Sequence, residues 1–168
     1  MSRDEIKLVI ATSNWFSALG RYAGSKDRLS LADLHAWDQS IFTARTDKCE
    51  GAIAGNMEWL PSSRDQEDPI HGIELISLLE KTNPGYASTV LDLHKSALIS
   101  LRAVPENSIM SGPNDFTQAA IGSALYCVRM AALESLANVP GFWCDVLKLY
   151  SDGFWPCGLM PDRRLVVY

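Results

Sequence analysis

The sequence lacks the short motifs that mark common catalytic and cofactor-binding sites. It contains no GxxxxGK[ST], GxGxxG, GxSxG or HExxH segment. These are the patterns of phosphate-binding loops, dinucleotide-binding folds, serine hydrolases and zinc proteases. Their absence argues against those enzyme classes, and we expect no bound metal or cofactor.

Positive charge is also scarce. The chain has 15 Lys and Arg residues against 20 Asp and Glu residues, for a net charge of −5. Nucleic-acid binding needs clustered Lys and Arg to neutralise phosphates, so the composition argues against it. A length of 168 residues with 47% hydrophobic and 21% charged residues fits one folded domain.

Long apolar runs and paired cysteines are missing as well. The longest uncharged apolar stretch near the middle of the chain, residues 119–128, is too short to cross a membrane. The first residues have no apolar core or cleavage site typical of a signal peptide. The four cysteines form no CxxC pair, which favours buried free thiols. We therefore expect a cytoplasmic protein that does not contact a membrane.

What the sequence does contain is one long apolar segment, residues 115–138. Only Asp115, Arg129 and Glu134 carry charge there, and apolar residues cover more than one helical face. A helix that is apolar almost all round is normally buried among other helices. This segment predicts a central helix.

Apolar spacing predicts an all-α, single-domain bundle of about six helices around that central helix. The second helix is expected to be long and bent, although Gly51 or Gly55 could break it. Asn83 and Pro84 are expected to start the fourth. The expected helices cover residues 3–22, 30–59, 70–81, 83–104, 115–138 and 142–150.

The C-terminal tail is predicted to be non-helical. Gly153, Pro156, Gly158 and Pro161 oppose a helix, and the residues between them are strongly apolar. We expect the tail to lie across the bundle and to end in a short strand at residues 165–168. Two tryptophans beside prolines, Trp59 and Trp155, are candidates for half-exposed anchors of an interface.

Few residues suggest chemistry. His35 and Asp38 are three apart on one predicted helix face, and His94 lies beside the apolar stripe of another helix. Together they define an alternative function, a small-molecule or metal-binding helical enzyme, although a metal site needs three or four ligands. A nucleophile pair of Cys127 and His94 is a further alternative, opposed by the apolar setting of Cys127.

An acidic segment is the more prominent surface feature. Residues 64 to 80 include five acidic residues and a single Arg. Charge complementarity speeds the encounter with a basic partner, whereas a solvated loop would explain the same charges. The candidate partner-binding residues, called the acidic surface below, are Asp65, Glu67, Asp68 and Glu74.

The last residues resemble those of a known class of proteins. Residues 153–158 read GFWPCG and residues 164–168 read RLVVY. This ending is similar to the C-terminal end of small helical bacterial immunity proteins encoded beside polymorphic or contact-dependent toxins. The resemblance implies a non-enzymatic protein that binds and neutralises one cognate toxin domain. The acidic surface predicts that this toxin domain is basic at its binding face. The resemblance transfers no binding residues, and a self-associating helical module remains an alternative.

Overall fold

The computed structural model describes residues 1–17, 58–60, 70–104, 114–139, 141–159 and 165–167. Within these residues the chain is mainly helical, as predicted. The helices are α1 (Arg3–Thr12), α2 (Ile70–Thr82), α3 (Tyr86–Arg102), α4 (Asn114–Ala137) and α5 (Phe142–Ser151). The strands are β1 (Glu58–Trp59), β2 (Pro156–Leu159) and β3 (Leu165–Val167). Six helices in one single-domain bundle remain a prediction.

Helix α4 is the centre of the described structure. It packs against α1, α2, α3 and α5, and the predicted bounds of 115–138 are one residue from those observed. Its window Ala120–Ala137 is long and apolar enough to cross a membrane, yet 72% of it is buried inside the fold. A buried core helix meets the same criteria, so the window is weak support for a membrane span. Its fully buried side chains are Ala120, Ala124, Cys127, Val128, Met130, Ala131, Ala132 and Glu134.

Helix α1 begins as the sequence indicates but ends earlier. Ser2 caps it, accepting a hydrogen bond from the Glu5 backbone N–H, while the Glu5 carboxylate accepts from the Ser2 N–H. The predicted continuation to residue 22 is wrong, because the helix stops at Thr12 and Ser13 is extended.

The early end of α1 allows two aromatic side chains to enter the core. Phe16 adopts a positive φ of 55°, and its ring meets Tyr150 edge-on with centroids 5.7 Å apart. Trp15 packs on the same Tyr150 at 5.9 Å. Its indole N–H donates to Ser100 Oγ on α3 at 2.7 Å, and Ser100 in turn donates to the Ile10 carbonyl at 3.1 Å. Burial of both rings explains the break better than local propensity does.

Helices α2 and α3 match the predicted segments, with one correction at the start of α3. Residues 83–85 form a turn in which the Tyr86 N–H donates to the Asn83 carbonyl at 2.9 Å. The N-cap is therefore Gly85, with no side-chain cap, and the predicted start at Asn83 and Pro84 is wrong. A helix observed at Ile70–Thr82 confirms the third prediction.

The tail forms a small antiparallel sheet in the order β1–β2–β3. Glu58 pairs with Leu159, and Leu159 pairs with Leu165, with an irregular register between Pro156 and Gly158. The expected non-helical tail and its terminal strand are thus observed. A helix reaching residue 59 is wrong, because Glu58 and Trp59 pair with the tail instead; the rest of that predicted helix lies outside the described residues.

Candidate functional site

Of the four residues that define the acidic surface, one lies in the part of the chain that the structure describes. Asp65, Glu67 and Asp68 lie outside the described residues, as do His35 and Asp38. Glu74 lies on α2 and is exposed to solvent. The structure therefore places one predicted partner-binding residue on the surface.

Helix α2 exposes apolar side chains beside Glu74. Ile73 is 54% exposed and Leu78 is 41% exposed. Leu75 and Leu79 of the same helix are buried. Because residues four apart share a helix face, Glu74 and Leu78 are neighbours on the outer side. We call Ile73, Glu74 and Leu78 the α2 outer face.

A buried carboxyl group lies on the inner side of the same region. Glu134 of α4 is fully buried, and its Oε1 atom lies 3.3 Å from Nε2 of His71, the second residue of α2. Its Oε2 atom accepts a hydrogen bond of 3.1 Å from the Cys144 backbone N–H. The His71 side chain is 43% exposed, so the pair connects the core to the surface.

The turn between α4 and α5 brings the start of α5 to this carboxyl group. Asn138 takes a positive φ of 54°, which Asn tolerates at a helix C-terminus. The Val139 N–H then donates to the Glu134 carbonyl at 3.0 Å. As a result the first turn of α5 points its free N–H groups at Glu134, where the helix dipole favours negative charge.

Gly141 is the N-cap of α5 and leaves room for the carboxyl group. A Cβ atom at this position would overlap the Glu134 carboxyl group. The backbone of Gly141 is extended, with φ of −147° and ψ of 153°, a conformation open to any residue. The site therefore requires that position 141 carry no side chain. It does not require the wider range of backbone conformations that glycine allows.

Electrostatics at Glu134 are dominated by burial. Burial raises the pKa of the Glu134 carboxyl group above its ordinary value, while hydrogen bonds from the Cys144 and Trp143 N–H groups and from His71 act in the opposite direction. Helix dipole and imidazole together supply partial compensation for a charge that would otherwise be costly to bury.

Two cysteines surround the carboxyl group and are free thiols. The Cys127 thiol donates to the Trp143 carbonyl at 3.5 Å, and the Cys144 thiol donates to the Ala131 carbonyl at 3.6 Å. Burial, followed by the nearby Glu134, raises the pKa of Cys127 well above its ordinary value. The same causes raise the pKa of Cys144 to about 11. Protonated thiols are poor nucleophiles, which speaks against a pair of Cys127 and His94.

His94 has a different environment from His71. It is half-buried on α3, and burial together with the nearby charge of Arg129 lowers its pKa. A neighbouring cation also disfavours a metal ion. Within the described part of the chain, no group of three or more His, Cys, Asp or Glu side chains could hold a metal. Because His35 and Asp38 lie outside those residues, the enzyme alternative remains a prediction.

Of the two tryptophans expected to be half-exposed at an interface, Trp155 is buried instead. Trp155 is only 3% exposed and belongs to the core, because the sheet carries it against the bundle. It is therefore not a half-exposed anchor. The side chain of Trp59 lies outside what the structure describes.

Comparison with known proteins adds no family to these observations. No protein-family description matches the chain, and no curated protein matches it. The function has to be argued from the chain's own residues.

Proposed function

We propose that this protein is a non-enzymatic immunity protein that acts in the cytoplasm and neutralises a cognate bacterial toxin domain by binding it. The proposed contact consists of the acidic surface and the α2 outer face, which share Glu74. The observation that supports it most directly is the outward placement of Ile73, Glu74 and Leu78 together on one helix.

Such a surface has the composition of a protein interface. Apolar side chains at the centre of a contact supply binding energy through burial, and charges around them set orientation and partner choice. Ile73 and Leu78 are large, partly exposed apolar residues, and Glu74 lies between them in sequence. The preceding segment adds Asp65, Glu67 and Asp68.

The sign of the charge favours a basic partner. Five acidic residues between positions 64 and 80 are opposed by Arg64 alone, and the whole chain carries a charge of −5. A toxin domain that acts on nucleic acid would present a basic face of complementary sign. Binding there would cover that face and block access to its substrate.

A binding measurement tests the proposal. The protein is mixed with the purified toxin domain encoded by the adjacent gene, and affinity is measured by calorimetry at low and high salt. We expect a complex of fixed ratio that weakens as salt rises, together with loss of toxin activity. Absence of binding at low salt would contradict the proposed function.

Charge reversal tests the proposed surface separately. Converting Asp65, Glu67, Asp68 and Glu74 to Lys should slow association and remove or invert the salt dependence. A matched control is Asp92→Lys, an exposed acidic residue on α3. If the fourfold variant binds as well as the control, the toxin contacts a different surface.

A further inference from the structure

Helix α2 carries an exposed stripe of side chains with opposite charges at its two ends. Glu74, Leu78 and Lys81 are all exposed, and their spacing of four and three residues places them within about 60° of one another around the helix. Leu78 lies between the two charges. We call these three residues the α2 stripe. Within the part of the chain that the structure describes, neither Glu74 nor Lys81 forms an ion pair.

We propose that a second copy of this chain binds the α2 stripe, with the two α2 helices packed antiparallel about a two-fold axis. A two-fold interface places the same surface of both copies face to face, so that surface has to be complementary to itself. The α2 stripe meets this condition because its ends carry opposite charges. In an antiparallel pair, Glu74 of each copy faces Lys81 of the other.

The spacing of the α2 stripe fits this arrangement. The point midway between Glu74 and Lys81 falls between Ser77 and Leu78, so the two charges lie about 5 Å from it along the helix axis, in opposite directions. Reversing a second helix about that point therefore brings both pairs of opposite charges into register at once. Ser77 is small and exposed, and small side chains where two helices cross allow a short distance between their axes.

Leu78 provides the apolar centre of the proposed contact. It is 41% exposed, and in the antiparallel pair the two copies of Leu78 lie side by side at the midpoint, where packing removes both from water. Ile73, which is 54% exposed, lies at the edge of the same contact. The exposed ion pairs add little affinity but fix the orientation. One pair of helices is a small interface, so the association should be weak.

Self-association through the α2 stripe would compete with toxin binding. The α2 stripe shares Glu74 and Leu78 with the α2 outer face, and these side chains cannot contact a second copy and a toxin domain at the same time. Toxin binding would then separate the two copies. This consequence rests on the proposed function, whereas self-association itself does not.

Sedimentation equilibrium of the full chain, without any toxin, tests the proposal. We expect the average mass to rise above the 18.5 kDa of one chain as the protein concentration increases, and the association to weaken as salt screens the charges. The mass of a single chain at every concentration up to the solubility limit would overturn the proposal. That result would leave the proposed function standing, because a single copy can still bind a toxin.

Charge reversal identifies the surface. Glu74→Lys places lysines opposite each other, and Lys81→Glu does the same with glutamates, so each should weaken association about tenfold. The two substitutions change the net charge in opposite directions, so a general effect of net charge cannot weaken both. The double variant, Glu74→Lys with Lys81→Glu, should restore association. An equal mixture of the two single variants should form mixed dimers for the same reason.

A control on α3 separates the α2 stripe from other surfaces. Lys95→Glu changes the net charge as Lys81→Glu does, at an exposed position on a different helix, and should leave association unchanged. Association that neither α2 variant weakens, or that the double variant does not restore, would overturn the proposed interface. If Lys95→Glu alone weakens it, a second copy binds α3 instead, and the proposal is wrong.

Discussion

The carboxyl group of Glu134 occupies the space in which Gly141 would carry a side chain. Seven positions separate the two residues along the chain, and the turn between α4 and α5 brings them together. The absence of a side chain at Gly141 thus allows a buried carboxyl group to accept the Cys144 N–H at 3.1 Å. The stability of this junction should depend on both residues.

Gly141→Ala should destabilise the protein. The added methyl group displaces the carboxyl group from the first turn of α5, and overpacking of this kind costs about 1–3 kcal/mol. The measurement is the free energy of unfolding in urea. Gly85→Ala is the matched control, because Gly85 is also a helix N-cap and its added Cβ would meet only Asn83 Oδ1 at 3.8 Å. Equal stability of the two variants would show that the Glu134 carboxyl group moves aside without cost.

Glu134→Gln should change how stability depends on pH. Burial raises the pKa of Glu134 in the folded state above its ordinary value of 4.5, so the folded protein holds this proton more tightly than the unfolded chain. The resulting stabilisation is fully present below pH 4.5 and is lost as the pH rises through the raised pKa.

The Gln variant lacks this titration, so the stability of the unmodified protein relative to Glu134→Gln should fall as the pH rises. Unfolding of both proteins is followed at a series of pH values. Comparison of the pair cancels other carboxyl groups, including Glu5, whose pKa is lowered by its hydrogen bonds to Ser2. If the difference in free energy of unfolding between the two proteins stays constant as the pH rises, or grows in favour of the unmodified protein, the pKa of Glu134 is not raised in the folded state.

Ser100→Ala should loosen the contact between α1 and α3. Ser100 Oγ accepts from the Trp15 indole N–H and donates to the Ile10 carbonyl, and its loss leaves both groups without that partner. Unsatisfied buried groups cost about 1–3 kcal/mol each. Ser96→Ala is the control, since the Ser96 hydroxyl donates to the Asp92 carbonyl of its own helix at 2.9 Å. The measurement is the thermal unfolding temperature. If both substitutions lower it equally, the Ser100 bridge between α1 and α3 does not add to stability.

The central helix was predictable because its signal is local and continuous. Residues 115–138 are apolar on several faces, which only burial among other helices can satisfy. The short helices α2 and α5 were predictable for a similar reason, since each is bounded by turn-forming residues and has an apolar stripe.

The end of α1 was not predictable from spacing. Phe16 continues the helical pattern of Ile6 and Ile10, yet it leaves the helix to meet Tyr150, which is distant in sequence. Strand β1 was missed for the same reason, because its partner, β2, lies about a hundred residues later. Contacts between residues that are distant in sequence override local propensity. A single sequence does not indicate which distant residues meet.

The role of Glu134 was missed although the sequence contains a clue. It is one of three charged residues in the central segment, and a charge in such a segment must find partners. Those partners, His71 and the Cys144 N–H, come from two other helices and could not be assigned by spacing. Gly141 falls between two of the predicted helices, but its close approach to the Glu134 carboxyl group could be found only in the folded structure.

Growth rescue tests the central claim most directly. The toxin encoded by the adjacent gene is expressed in a sensitive bacterial host in three ways: alone, with this protein, and with its fourfold charge-reversal variant. In that variant, Lys replaces Asp65, Glu67, Asp68 and Glu74. Our account predicts that the toxin alone stops growth, that this protein restores it and co-purifies with the toxin in a fixed ratio, and that the variant protects less. If the toxin stops growth equally with and without this protein, while both are produced in soluble form, the proposed immunity function is contradicted.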